Sequence, residues 1–299
     1  MVRKLKRDGQ ETNLLFWLLP LGLLCLGVFI IPVLSIVRLS FSESTLMRTS
    51  EAFTFASYGK LLTSPDFLSI LRTTLVFVAA GVFFQVIIGF LIALYLDYGS
   101  QRGIRGTLVV RTSVLAAWAI PGVVIGVVWK IMFSEMNSGI ITALSRLVLP
   151  AARPQFLSSP LGALVCSIVA NVWRGTAYSM ILLYAGLMTF PKDLNEAAQI
   201  DGANALMRLL RIKLPVLAPL FMICVLLVTV QTFNTFDMIM ALTGGGPGRS
   251  TEVMALNIYK TIFNDFDLGR GSAAAMLLLG INIGITFLYF RMLKGADHE

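Results

Sequence analysis

Histidine is almost missing from these 299 residues: the one present, His298, stands in the tail. A zinc site and a Ser-His-Asp relay therefore have no imidazole to build on. Cysteine is scarce too. Cys25, Cys166 and Cys224 each lie inside an apolar run without paired spacing, so they read as small core hydrophobes, neither disulfides nor metal ligands. Charge is the third shortage: Asp, Glu, Lys and Arg make up 13% of the chain, against about a quarter in soluble domains, while hydrophobic residues make up 57%. That composition specifies an all-α integral membrane protein, because helices satisfy their own backbone groups in lipid.

No phosphate-binding loop is present either. The run Gly244 to Gly248, GGGPG, lacks a Gly-Lys-Ser/Thr ending and follows no soluble strand, so nucleotide binding is not read from it. No cluster of nucleophile, base and metal residues appears. The reading is therefore no catalytic residues, no metal and no cofactor in this chain, which speaks against a membrane enzyme. The net charge of +8 does not indicate nucleic acid, since its basic residues are spread over loops and span ends rather than gathered on one face.

What is abundant is long apolar sequence. Runs of about twenty apolar residues predict six transmembrane helices. They are Leu14 to Val37, Leu71 to Leu96, Thr107 to Phe133, Leu161 to Phe190, Val216 to Leu242 and Gly271 to Phe290. The first follows Arg3, Lys4, Lys6 and Arg7 but is too long for a signal peptide's apolar region and lacks a small-residue cleavage site, so it reads as an uncleaved span. The N-terminus, the turn Asp97 to Gly106, the loop after span four and the tail hold about twice as many Lys and Arg as the three other loops do away from span ends. Both termini are therefore expected in the cytoplasm. No duplication, low-complexity segment or soluble domain is visible. The loop between spans one and two carries ASYGKLLTSPDF, which predicts a short helix and turn.

One polar stretch is enclosed between apolar spans, Pro191 to Pro219, PKDLNEAAQIDGANALMRLLRIKLPVLAP. Asp193 and Asn195 supply helix-start chemistry, Gly202 a turn, and Ala203 to about Ile212 a second helix with Leu206, Met207, Leu209 and Leu210 on one side. Pro215 is expected to stop that helix and open the next span. Two short helices meeting at a glycine make a compact knob suited to a groove on a partner; the plainer reading is an amphipathic loop lying on the membrane surface.

Glu196, Ala197, Ala198, Gly202, Ile212, Leu214 and Pro215 occupy seven positions over twenty residues, and they resemble the EAA loop of permease subunits of binding-protein-dependent ABC importers. With GGGPG and the following STEVMALNIYKTIFNDFDLGRGSAAA, the match from about Leu71 to Arg291 resembles the first-type permease subunit of carbohydrate importers, the maltose and glycerol 3-phosphate subfamily. The resemblance implies the ABC importer type I transmembrane-domain fold. Residues 1–70 would form an N-terminal tail, first helix and outer loop, 71–291 the transmembrane domain with its coupling loop at 191–215, and 292–299 a cytoplasmic tail. It also implies the cytoplasmic membrane of a bacterium or archaeon and a heterodimer with a second permease subunit. Two ATP-binding subunits would hold ATP and magnesium, and an extracytoplasmic solute-binding protein would deliver cargo.

Residues for a solute path come from polarity inside the spans. Gln231, Asn234 and Thr235 stand at i, i+3 and i+4 of span five, with Phe233, Phe236 and Asp237 adjoining. Amides and a hydroxyl on one membrane-helix face line an aqueous cavity or bond to neighbouring helices; mixed with aromatics they suit an uncharged, polyhydroxylated solute. Trp173 and Tyr178 offer ring faces to a sugar. Arg174 must face the bundle interior, either in a structural ion pair, for which Asp237 is a candidate, or beside a water-filled path. Pro121 bends span three, as a cavity wall or for packing, with Gly122 and Gly126 as a close-packing face. Gln85 is expected as helix–helix glue, Arg111 and Lys130 as snorkelling residues, Gly280 and Gly284 as a packing face. The expected cargo is a sugar or polyol, with glycerol 3-phosphate or another osmolyte as the alternative. An ATP-independent secondary carrier is the remote alternative.

Overall fold

A computed structural model describes residues 11–136, 139–148 and 155–296. Arg3, Lys4, Lys6, Arg7 and His298 lie outside the described residues. The chain clusters into two compact units, one from 1–64 with 258–277, the other from 65–257 with 278–299. Among the described residues there is helix and no strand.

In the first unit, α1 (Glu11–Cys25) runs through a π-turn (Leu26–Ile30) into α2 (Ile31–Ser40). Proline at position 32 has no N–H to donate, and the wider turn before it, closed by Ile31 N–H to the Leu26 carbonyl, takes up the mismatch. No residue of its most apolar stretch is buried in the protein, as befits a helix solvated by lipid. The expected short helix follows as α3 (Ala56–Leu62). Beneath it Ser40, Ser42, Ser44 and Ser57 are fully buried, with Ser57 Oγ donating to the Ser42 carbonyl at 2.6 Å. Rings of Phe41, Phe53 and Phe55 cluster above, centroids 5.0 to 5.4 Å apart.

The second unit is built on α4 (Phe67–Gln101), whose 35 residues extend about 50 Å, well past the thickness of a bilayer core. After it come α5 (Thr107–Ala119), α6 (Gly122–Met132), α7 (Ile140–Val148) and α8 (Pro160–Met188). Missing side chains set how closely α4 and α8 approach: a Cβ at Gly89 would come within 2.6 Å of Ser179, and one at Gly175 would collide with the Gln85 amide. Val86, Ala93, Leu183, Leu187, Leu217, Cys224 and Val228 close the core around that contact. Then follow α9 (Lys192–Ile200), α10 (Ala205–Arg208), a second π-turn (Leu209–Lys213), α11 (Leu214–Phe233) and α12 (Asp237–Leu242). Last come α13 (Met254–Phe263) and α14 (Leu268–Ala296), each with residues assigned to both units.

Among the described residues four helices are long and apolar enough to cross a membrane, or five if α5 and α6 count as one span. α8 has the length but not the composition, since Asn171, Arg174, Thr176 and Ser179 dilute it. From Asn171 to Ser179 the span is diluted in polarity only. The helix runs on unbroken, and Thr176 Oγ1 bonds back to the Val172 carbonyl at 2.6 Å.

Span three departs further. In place of one bent helix there are two, meeting at 106°. Pro121 forces Ile120 out of the α region, to ψ 133°. α6 then packs on α12 through the predicted glycines: a Cβ at Gly126 would meet the Met238 carbonyl at 2.5 Å and Ala241 at 2.6 Å.

Three other expectations are corrected. Span five does not continue to Leu242 but ends at Phe233, because the Asn234 side chain donates to the Val230 carbonyl at 2.7 Å and helps close the helix end. Pro215 stops nothing: Ala205–Phe233 is one continuous 29-residue helix, and the π-turn, closed by Leu214 N–H to the Leu209 carbonyl, absorbs the proline as at position 32. Gly280 and Gly284 form no packing face within this chain: among the described residues no atom lies within 4 Å of where a Cβ would stand, the helix's own backbone aside.

Glu135, between α6 and α7, accepts from the backbone N–H groups of Leu157 and Ser158 at 2.9 Å each. Burial pushes its carboxyl up, but those donors outweigh it and hold the group below the usual carboxylate range. A depressed carboxylate stabilises the fold fully above its unfolded value of about 4.3, and the contribution vanishes as pH falls through the folded value. Glu135→Gln is expected to cost about 1 kcal/mol near pH 7 and to flatten the acid limb of a stability–pH curve; an unchanged acid limb would contradict this.

Candidate functional site

Amides are costly inside a bundle unless they bond or meet water. Here they converge on a cavity of about 340 Å³ within the second unit. α4 contributes Gln85, 2% exposed, whose Nε2 donates to Thr232 Oγ1 at 3.4 Å. It is the glue expected of it and a cavity wall as well. α8 contributes Asn171, Arg174 and Gly175; α11 and the break after it contribute Gln231, Thr232, Asn234, Thr235 and Phe236; α12 opens with Asp237.

The Asn171 side chain is 4% exposed, and its Nδ2 has no hydrogen-bond partner among the described residues, so a buried donor stands ready beside the cavity. Arg174 and Asp237 form an ion pair at 3.6 Å, with side chains 27% and 33% exposed. Gly122 makes room for the Asp237 carboxylate, which a Cβ there would strike. Pro121 therefore does two things: it breaks span three, and it delivers Gly122 to the back of Asp237.

The cavity gathers Gln231, Asn234, Thr235 and Asp237, though not as one helix face. The helix ends under Asn234, and the extra turning of the chain brings Thr235 and Asp237 round. Trp173 is a correction. It turns away, 43% exposed, into an apolar groove of about 790 Å³ and packs edge-on to Trp129 at 6.0 Å. That groove is larger, but its wall offers almost nothing to orient a polar solute. Tyr178 leans on the core and on Trp118, 6.3 Å away. Trp118, which the sequence did not single out, is the indole that lines the polar cavity. Asn171 was missed likewise; an amide four residues from another polar group was the available signal.

The polar loop folds into the knob. Pro191, not Asp193 or Asn195, occupies the cap position of α9; Asp193 falls in the first turn, and Asn195 accepts from Arg208 Nη1 at 3.3 Å, joining the two short helices. α9 ends in a Schellman motif: Ala203 N–H reaches the Ala198 carbonyl at 2.9 Å, Gly202 N–H reaches Gln199 at 3.1 Å, and Gly202 takes φ +80°. Asn204 then caps α10, accepting from Met207 N–H at 2.8 Å. Ala198 is buried and Glu196 and Ala197 are exposed, while Ile200 is 86% and Leu206 63% exposed. Ile212 lies in the π-turn, and Leu214 and Pro215 begin α11. Among the described residues no group of three His, Cys, Asp or Glu is placed to hold a metal ion.

A family model for the binding-protein-dependent transport system inner membrane component matches residues 85–295. The chain is 30% identical over 293 residues to the trehalose/maltose transport system permease protein MalF of Thermococcus litoralis, covering 98% of this chain and 97% of that one. It is 31% identical over 249 residues to the sn-glycerol-3-phosphate transport system permease protein UgpA of Rhizobium meliloti, covering 82% and 81%. In three dimensions it matches a chain of a bacterial alginate ABC transporter, crystallised with an alginate pentasaccharide-bound periplasmic protein, at TM-score 0.81, 20% identity and 97% coverage of both. The unbroken helix from knob to cavity thus belongs to a known kind of membrane protein: this chain is a member of the family of inner membrane components of binding-protein-dependent transport systems.

Proposed function

We propose that the chain is one permease subunit of an ATP-driven importer that moves a neutral sugar or polyol into the cytoplasm by alternating access. One observation carries the reading. A single helix, Ala205–Phe233, has the exposed knob at one end and Gln231 and Thr232 of the polar cavity at the other, so a push on the knob reaches the cavity through about 44 Å of continuous helix. Six spans follow if α8 crosses too, since its polar residues face Gln85 and the cavity rather than lipid. Both termini and the knob then lie in the cytoplasm, where two ATPase subunits holding ATP and magnesium would receive Glu196 and Ala197, with Ala198 buried behind them to seat α9. A second permease subunit would complete the path, and an extracytoplasmic binding protein would deliver the solute. The chain itself makes and breaks no bond.

A neutral solute suits the cavity because its guanidinium is already matched by Asp237. What remains for cargo is uncharged: the Asn171 donor, the amides of Gln231 and Asn234, the Thr235 hydroxyl and the Trp118 ring. In proteoliposomes containing the whole importer, trehalose or maltose uptake should exceed glycerol 3-phosphate uptake. Asn234→Ala and Trp118→Ala should each lower it about tenfold, with Trp173→Ala close to wild type. Preferential uptake of glycerol 3-phosphate would transfer the proposal to that solute. Accumulation by this chain alone on an ion gradient would overturn it in favour of a secondary carrier.

A further inference from the structure

Beneath the knob is a gap. A cavity of about 600 Å³ has Asn195, Glu196 and Gln199 of α9 on one side and Ser100, Gln101 and Tyr184, from the ends of α4 and α8, on the other. Over that stretch α9 does not rest flush on the bundle. Across the same gap Lys213, the last residue of the second π-turn, reaches Asp97 of α4 at 3.1 Å, the two side chains 18% and 10% exposed. Both carboxylate oxygens are engaged, since Asp97 Oδ1 accepts from Gln101 Nε2 at 2.8 Å. The ammonium also lies 5.8 Å from the centre of the Phe190 ring.

A largely buried ion pair adds little net stability over an apolar pair of like size, yet breaking it strands a charge; what it supplies is a fixed position. Asp97 also stands near the negatively polarised end of α4, where an unpartnered carboxylate is disfavoured. α4 is the helix that carries Gln85 to the solute cavity, three turns away. The knob thus meets that cavity along two routes: the α11 wall through continuous helix, and the α4 wall through this pair, which adds a polar link at the knob end to the apolar packing of α4 on α11.

We infer that Asp97 and Lys213 are positioning residues that lock α4 to the knob, so that α4 and α11 move as one body when the knob is displaced. The inference rests on the coupling reading of residues 191–215. With the pair intact, knob motion moves both cavity walls together. With it broken, the knob end of α4 is held to α11 by apolar packing alone, which permits sliding, so α4 follows the knob incompletely and docking opens the path less.

The test uses the whole importer with its partner subunits, with Cys25, Cys166 and Cys224 replaced by alanine and spin labels at Ser100 and Gln199. The distance between labels should be the same in nucleotide-free and vanadate-trapped states. In Lys213→Met and Asp97→Asn it should become nucleotide-dependent, and stimulation of ATP hydrolysis by the binding protein should fall about fivefold to tenfold while basal hydrolysis holds. Lys213→Arg should keep most of the stimulation, and the exchange Asp97→Lys with Lys213→Asp should restore it, a rescue that a pair needed only for folding would not give in the stimulation ratio alone. A distance that already changes with nucleotide in the unmutated pair, or full stimulation in Lys213→Met, overturns the inference. A disulfide formed between Ala197→Cys and an ATPase cysteine separates the two readings: its loss defeats the coupling assignment, whereas its persistence beside unaltered stimulation defeats only the α4 lock.

Discussion

Gly202→Val is expected to leave the protein inserted and assembled but to reduce ATP-driven uptake by more than about tenfold. No atom lies within 4 Å of where its Cβ would stand, so crowding is not the reason. Backbone conformation is. At φ +80° an L-residue pays about 1–2 kcal/mol, more when β-branched, and the chain escapes that cost by unwinding the Schellman turn. The turn sets the angle between α9 and α10, so relaxing it moves Glu196 and Ala197 relative to the helix leading to the cavity. Asparagine, which tolerates the left-handed region, should retain the most activity, alanine less and valine least. Uptake and stimulated ATP hydrolysis measured on complexes of equal yield check the ranking, and normal uptake by the valine variant would remove the coupling role.

The second large effect is at the Arg174–Asp237 pair. Arg174→Gln leaves a carboxylate facing Gly122 and a cavity of amides. Fully buried, such a loss runs to several kcal/mol; with both partners about one-third or less exposed to water, about 1–2 kcal/mol is expected. Asp237→Asn should cost as much. The double variant should regain the thermal stability, because the partners are then both neutral, yet remain slow in uptake, because both line the polar cavity proposed as the solute path. Restored uptake alongside restored stability would make the pair purely structural.

The sequence carried the turn at Gly202, a change of direction at Pro121 though only as a bend, and the close face of Gly122 and Gly126, because each depends on a residue with one dominant backbone property. It did not carry the break after Phe233. No proline or glycine stands in QTFNTFD, and the helix ends partly on an asparagine side chain returning to its own backbone. Pro215 misled for the converse reason, since a wider turn upstream accommodates it. Arg174 and Asp237 were each legible as polar residues in apolar surroundings, but their separation depends on how α8 meets α12, which composition does not encode. For the same reason Trp118 lines the polar cavity where Trp173 was expected: an indole's direction is decided by the neighbouring helices, and both looked alike in one dimension. The reciprocal fit of Gly175 and Gln85, on helices ninety positions apart in the chain, has no local signature at all.

The wide turn at Leu209–Lys213 also bears on loop grafting between permeases. It holds one residue more than a regular winding needs, and removing any one of the five would let the segment rewind with the ordinary pitch. The far side would keep its angular position about the rod, because five residues at the wider winding turn the chain about as far as four at the ordinary one, but Pro215 would lose the turn that accommodates it. A borrowed loop that is perfect in its docking residues but one residue short would keep its tip toward the subunit it is meant to engage if the loss falls in this turn, and would present its flank if it falls in the regular helix beyond.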